Sequence, residues 1–300
     1  MMFRMRARDL SPAEEVVWQA FSTGNVVDFG SLGETRESAR QVRSEVLAAL
    51  ISGSAQPDVA TGTVRLRGAV LKGTIQLLAA QSKYALFLEA CSIEGGVELK
   101  GLTTSTLSMR HCQISFIDLE STKINGQLDL TGTKLTSATP FALRADGLSI
   151  TGNVDCTDLR AHGQVRFDRA AVEGDLVLNG AFISTEAGPA LWGDRLTVTH
   201  NMYCGTGTER RPFRAVGGIR LIWGNIGAQL VLRGAQLDAA RHAAVDGHGL
   251  NVTGDMICDN QFQSSGAIHL DLARVGGLLS FDGAELTNDG AVALFAAGLV

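Results

Sequence analysis

Ala142-Leu143-Arg144-Ala145-Asp146-Gly147-Leu148 returns as Ala190-Leu191-Trp192-Gly193-Asp194-Arg195-Leu196 and again as Ala244-Val245-Asp246-Gly247-His248-Gly249-Leu250. In each copy a cysteine follows 14 residues after the first alanine, at Cys156, Cys204 and Cys258. The match then resumes at Gly163-Gln164-Val165-Arg166-Phe167, Gly217-Gly218-Ile219-Arg220-Leu221 and Gly266-Ala267-Ile268-His269-Leu270. Eighteen residues further on, each copy reaches Ala181, Ala235 or Ala284. The units begin 48 and 54 residues apart, the longer one carrying an insertion around Gly205–Pro212. A fourth copy opens at Ala293-Leu294. Self-similarity at such a period is the signature of a solenoid, in which each unit buries its apolar face only against its neighbours.

Within each unit two half-units carry short strands such as Leu176-Val177-Leu178 and Leu230-Val231-Leu232, so one unit reads as two coils of roughly 20 to 27 residues. Val64-Arg65-Leu66, Ile75-Gln76-Leu77, Val97-Glu98-Leu99 and Leu128-Asp129-Leu130 are less regular versions of the same element. Crossovers between parallel strands are almost always right-handed. The expected fold is therefore mainly β: a right-handed parallel β-helix, or β-solenoid, with coils stacked about 4.8 Å apart. Leu148/Leu196/Leu250, Ile150/Val198/Val252, Val154/Met202/Met256 and Leu178/Leu232/Phe281 stay apolar across the copies and are expected to face inward. Asn153/Asn201/Asp255 stay Asx and are expected to form a ladder of turns, since such side chains bond nearby backbone and tolerate left-handed geometry.

The start of the chain differs. Ser11-Pro12-Ala13-Glu14 reads as a helix N-cap with Pro at the first helical position, leading into Val16, Val17, Trp18, Ala20 and Phe21. A second helix is expected from about Thr35 to Ile51, on the spacing of Val42, Val46, Leu47, Leu50 and Ile51, with Gly53 as its stop. Residues 1–55 thus form a short α-helical N-terminal cap and 56–300 the solenoid, with irregular coils over 56–141 and two-coil repeats from 142, 190, 244 and, truncated, from 293. Of the 300 residues 45% are hydrophobic and 19% charged, the balance of a globular chain. A net charge of −5 is too weak to announce a nucleic-acid surface. Arg4, Arg6 and Arg8 are not followed by the apolar stretch of a secretory signal. Five cysteines make no dense disulfide framework, so a reducing cytoplasm is the expected setting, with Asn251-Val252-Thr253 a chance glycosylation triplet.

The phrases Ala142–Cys156, Gly266–Asn288 and Ser11-Pro12-Ala13-Glu14-Glu15-Val16-Val17-Trp18-Gln19-Ala20-Phe21 resemble a family of actinobacterial repeat proteins. Many of these carry the label "membrane-associated oxidoreductase", and they are similar to pentapeptide-repeat solenoids, although the strict five-residue pattern is not kept here. The resemblance covers nearly the whole chain. It implies longer relatives, some with hydrophobic C-terminal segments, so the chain is expected to be a piece of a longer protein. Membrane contact is expected only through such a segment. With nothing to cap Val300, end-to-end pairing of two copies is the other expectation for that end.

The oxidoreductase label implies a cofactor site, yet the residues offer none. No Gly-x-Gly-x-x-Gly stands between a strand and a helix, and the nearest string, Gly205-Thr206-Gly207-Thr208, lies in the insertion. P-loop, His-Glu-x-x-His, Gly-x-Ser-x-Gly and Cys-x-x-Cys motifs are absent as well. Cys156, Cys204 and Cys258, two coils apart, would be separated by ~9–10 Å, too far for one zinc or a disulfide. A buried ladder of small core cysteines is the plainer reading, and His200 beside Cys204 is more simply a turn histidine than a metal ligand. Asp129, Asp155, Asp168 and Asp175 could line a glycosidase- or lyase-like groove, but on a solenoid any two acids in nearby coils meet the required separation. No catalytic residue, metal or cofactor is assigned.

The middle repeat is more informative. Trp192 stands where its neighbours have Arg144 and Asp246, Ile222 where they have Asp168 and Asp271, and Trp223 where they have Arg169 and Leu272. The same unit carries Arg210, Arg211, Arg214 and Arg220. Ala190–Ala243 holds seven basic and three acidic residues, Ala244–Val300 one basic and seven acidic. Trp and Arg dominate interface energetics, so Trp192, Ile222, Trp223, Arg210, Arg211, Arg214 and Arg220 are the candidate surface for a protein partner; covering the inserted loop or a local bend is the competing role for the two Trp. The expected function is a non-enzymatic binding scaffold in the cytoplasm, possible at the membrane periphery. The competing readings are a pentapeptide-repeat-like DNA mimic acting on a topoisomerase, which would bind no nucleic acid itself, and an oxidoreductase.

Overall fold

Each coil is four-sided. The computed structural model describes residues 9–30, 37–54, 62–136, 141–239 and 242–300. Its strands form four parallel sheets, here called faces A to D, with 11, 11, 10 and 8 strands in that order. One circuit runs Val154–Asp155 on face A, Arg160–His162 on B, Gln164–Arg166 on C and Ala171–Val172 on D. It returns to A at Leu176–Val177, one level along. The protein is thus mainly β, a β-solenoid of about ten turns, with two α-helices among the described residues, both near the N-terminus.

A side of five or six residues explains the pattern. The strands are mostly two or three residues long, most with one inward apolar residue, and the inward residues stack in register. On face A the column runs Leu128, Val154, Leu176, Met202, Leu230, Met256. The repeat-conserved positions Leu148, Leu196, Leu250, Ile150, Val198 and Val252 are buried as expected. The corner between C and D turns through one residue of positive φ per level, whether Gly147, Arg169, Arg195, Trp223, Gly249 or Leu272. The expected Asx ladder of Asn153, Asn201 and Asp255 bonds the backbone as expected, Asp255 accepting the Leu278 N–H at 2.8 Å and Asp175 adding a further rung, but without left-handed geometry. Asn153, Asp175 and Asn201 keep negative φ. Each accepts the backbone N–H of the next coil, at Asp175 (2.9 Å), Asn201 (2.9 Å) and Gln229 (3.2 Å). Cross-coil bonding, rather than left-handed geometry, selects Asx there.

Why the sequence repeats every second coil is visible in the core. At the A/B corner the inward positions run Ala181, Phe213, Ala235, Phe262, Ala284, and after face A they run Cys156, Leu178, Cys204, Leu232, Cys258, Phe281. Small and large side chains alternate from coil to coil, and the two columns alternate in opposite phase. A close-packed interior demands this compensation, because two large residues on adjacent levels would collide and two small ones would leave a void.

At the N-terminus, α1 (Pro12–Thr23) begins with the expected Ser11 cap, completed by a reciprocal bond from the Ser11 N–H to the Glu14 carboxylate. The second helix is shorter than expected. Thr35 lies outside the described residues. Glu37–Arg40 form a 3₁₀ turn, Gln41–Arg43 a strand on face B paired with Val70–Lys72, and only Ser44–Ile51 is α2. The apolar spacing of Val42 and Val46 suited either element, and pairing with the solenoid edge decided it. Val27–Asp28 likewise adds to face A, so the helical region and the solenoid are continuous.

The Glu14 carboxylate, 3% exposed, receives the Arg43 guanidinium at 2.8 Å and the Arg43 backbone N–H at 3.0 Å. Burial alone would raise its pKa, but hydrogen bonds from Arg43 and from the Ser11 backbone outweigh that and hold it at about 2. A depressed folded-state pKa stabilises above the unfolded value and is lost below it. Acidification from pH ~4.5 to ~2 is therefore expected to remove stability on the order of 2 kcal/mol, after allowance for solvent around the half-exposed Arg43. Amide protection in α1, corrected for the intrinsic pH dependence of exchange, should fall over that window, and Glu14→Gln should abolish that fall.

Candidate functional site

Trp192 stands outward on face C, in register with Arg166 on one side and Arg220 on the other. Their guanidiniums lie 4.8 and 5.2 Å from its ring centroids. Asp194 at 2.9 Å and Asp246 at 3.4 Å hold Arg220 in place. Trp192 and Arg220 are thus spent on one another, as rungs of a side-chain stack that ties three coils together. Phe182 on face B is treated the same way, with Arg160 and Arg214 at 6.0 and 5.7 Å from its ring.

Trp223 is different. It sits at the C/D corner with φ 55° and 54% of its surface exposed. Its ring leans over Gly249 of the next coil, where an added Cβ would come within 2.4 Å of it, and meets His248 edge-on at 5.5 Å. Ile222 beside it is half-buried. Above it in the corner column are Arg169 and Arg195, and two levels below is Leu272, 52% exposed, each again at positive φ.

The remaining candidates lie elsewhere. Arg210 and Arg211 belong to the insertion at the A/B corner, diagonally across the coil from Trp223, and Arg214 points from face B. Arg211 pairs with Glu209. Arg210 is exposed beside a cavity of about 680 Å³ lined also by Tyr203, Val231 and Arg233. Repeat alignment sorts residues into levels, whereas sides of five or six residues send neighbours in sequence to different faces. The seven residues therefore do not form one patch. The basic middle and acidic last repeats also do not remain separate fields, because Arg220–Asp246 and Arg233–Asp259 (2.7 Å) pair them across the boundary.

Groups considered for chemistry have structural occupations. In the glycine-rich string, Gly205 N–H donates to Asn179, Gly207 N–H to the Arg211 carbonyl and Thr208 N–H to Asp158, which leaves those amides turned away from any phosphate. Asp129 faces Arg110 at 3.5 Å, Asp155 accepts the Thr157 N–H, Asp168 pairs with Arg169, and Asp175 accepts from Asn201. Cys156, Cys204 and Cys258 are buried free thiols on alternate levels, and burial raises their pKa well above the ordinary thiol range. His200 is exposed while Cys204 points inward. Among the described residues no cluster of three or more His, Cys, Asp or Glu could hold a metal ion.

One feature escaped the sequence reading. On face A the outward column turns apolar over four successive levels, at Val177, Tyr203, Val231 and Ile257, all half-buried. The signal was present: Leu176-Val177-Leu178, Met202-Tyr203-Cys204, Leu230-Val231-Leu232 and Met256-Ile257-Cys258 are unbroken apolar triplets in which alternation would require a polar middle.

No described helix is long and apolar enough to cross a membrane. Comparison of the chain with known protein families, curated proteins and solved structures returns no match.

Proposed function

We propose that the protein is a repeat scaffold that binds a protein partner along the corner between faces C and D. Trp223 carries this reading. A bulky residue at positive φ costs of order 1 kcal/mol where the next coil uses glycine, and an exposed indole adds little to folding. Both costs are offset if the ring is an anchor for a partner. Arg169 and Arg195 above it and Leu272 below it extend the ridge over five levels, about 19 Å at the usual strand spacing. That ridge suits a partner presenting an apolar pocket flanked by carboxylates. A DNA mimic would need unpaired acids along one face, whereas Asp118, Asp146, Asp194, Asp246 and Asp259 are all paired with arginines. An oxidoreductase finds no supporting group in the glycine-rich insertion, whose amides are already bonded.

The two tryptophans separate folding from binding. Trp192→Ala is expected to lower stability by about 1–2 kcal/mol, since two cation–π contacts go with the ring. Trp223→Ala is expected to leave stability within about 0.5 kcal/mol and to weaken a captured partner at least tenfold. Capture from a host lysate on wild-type and variant protein, followed by titration of the retained protein, reads both effects. Equal affinity for wild type and Trp223→Ala would overturn the reading.

A further inference from the structure

Three of the five cysteines sit on alternate levels, but the other two do not. Cys91 and Cys112 are 21 residues apart, which is one full coil. The strands before them pair Arg110 with Glu89, and the strands after them pair Gln113 with Ser92. With register fixed on both sides, Cys112 lies directly over Cys91 at the A/B corner. The Gln113 N–H donates to the Cys91 carbonyl at 2.9 Å, which closes the ladder at that point. Both side chains point into the core, 2% and 1% exposed, and both are free thiols. The level above carries Ala69 in the same column and the level below Thr133, so this is the one place among the described residues where two cysteines stack on adjacent coils.

We propose that Cys91 and Cys112 are a modification site: a dithiol that closes to an intramolecular disulfide on reaction with a low-molecular-weight disulfide, stapling two adjacent coils. Adjacent strands are about 4.8 Å apart, inside the 4.4–6.8 Å span of α-carbons that a disulfide accepts, whereas alternate levels at ~9–10 Å are outside it. The two thiols are also unequal. A hydrogen bond with Cys112 lowers the Cys91 pKa against the effect of burial, helped by backbone N–H groups, and the same contact together with burial raises that of Cys112. Cys91 is therefore the first thiolate. It attacks one sulfur of the small disulfide, releasing one thiolate and leaving a mixed disulfide on Cys91. Cys112 then loses its proton and attacks the Cys91 sulfur, releasing the second small thiolate. Two protein thiols are oxidised, one small disulfide is reduced to two thiols, and the two protons end on those products. Burial means that the reagent enters only when the corner opens, so closure is slow on the scale of exposed thiols.

The test is a thiol count on protein incubated with oxidised glutathione, trapped, denatured and then titrated, with peptide mapping of the product. The expected result is a fall from five thiols to three, a Cys91–Cys112 linked peptide, a monomeric product, and return to five on addition of a dithiol. Cys112→Ser, a near-isosteric change, should stop at a mixed disulfide on Cys91 and gain no cross-link. If this variant does not fold, the wild-type map still decides. A count that stays at five, a linkage involving Cys156, Cys204 or Cys258, or a wild-type product that stops as a glutathione adduct would each overturn the proposal.

Discussion

Phe213→Ala is expected to cost about 3–5 kcal/mol and to shift the urea midpoint accordingly. Phe213 is fully buried at the A/B corner. Its levels above and below carry Ala181 and Ala235, so the ring occupies space that neither neighbour can fill. The cavity left by truncation cannot collapse, since the strands on both sides are locked into the face B ladder through Ala215, paired with Ile183 and Leu237. Large-to-small substitutions cost most where the surroundings cannot relax. A cost below about 1.5 kcal/mol would show that small and large residues do not alternate as tightly packed partners, and with it would go the account of the two-coil period.

Gly152→Ala is the second large effect, on the order of 3 kcal/mol, although it adds a single methyl group. Gly152 lies at the D/A corner, stacked between Gly126 and Gly174. A Cβ on Gly152 would stand 2.4 Å from the Gly126 carbonyl oxygen and 2.9 Å from its carbon. Both are backbone atoms, so no side chain can rotate away, and relief requires two coils to part. That movement also strains the rungs between those coils, where the Leu128 N–H donates to the Asn153 carbonyl at 3.0 Å and the Leu130 N–H to the Asp155 carbonyl at 2.7 Å. Hydrogen exchange at Leu128 and Leu130 should report the loosened rungs. A variant as stable as wild type would mean that the coils slide past one another freely at this corner.

Much of the architecture was legible in the chain. The 48-residue recurrence, the alternating apolar positions and the Ser11 cap define a parallel β-solenoid with a helical start, because each depends on contacts between residues one coil apart or closer. The cysteine ladder followed from the same arithmetic, and a 21-residue spacing would have exposed Cys91 and Cys112 too. Other features depend on how many sides a coil has. Trp192 and Trp223 are equally aromatic and equally exceptional in the repeat, yet one lies between two arginines and the other stays 54% exposed at a corner, against His248 and Gly249. Arg210 and Arg220 are close in sequence, yet they occupy different faces. Repeats in a sequence record which residues share a column. The sheet register and the number of corners, fixed only when the whole coil closes on its neighbours, decide which columns lie side by side and which side chains are left for a partner.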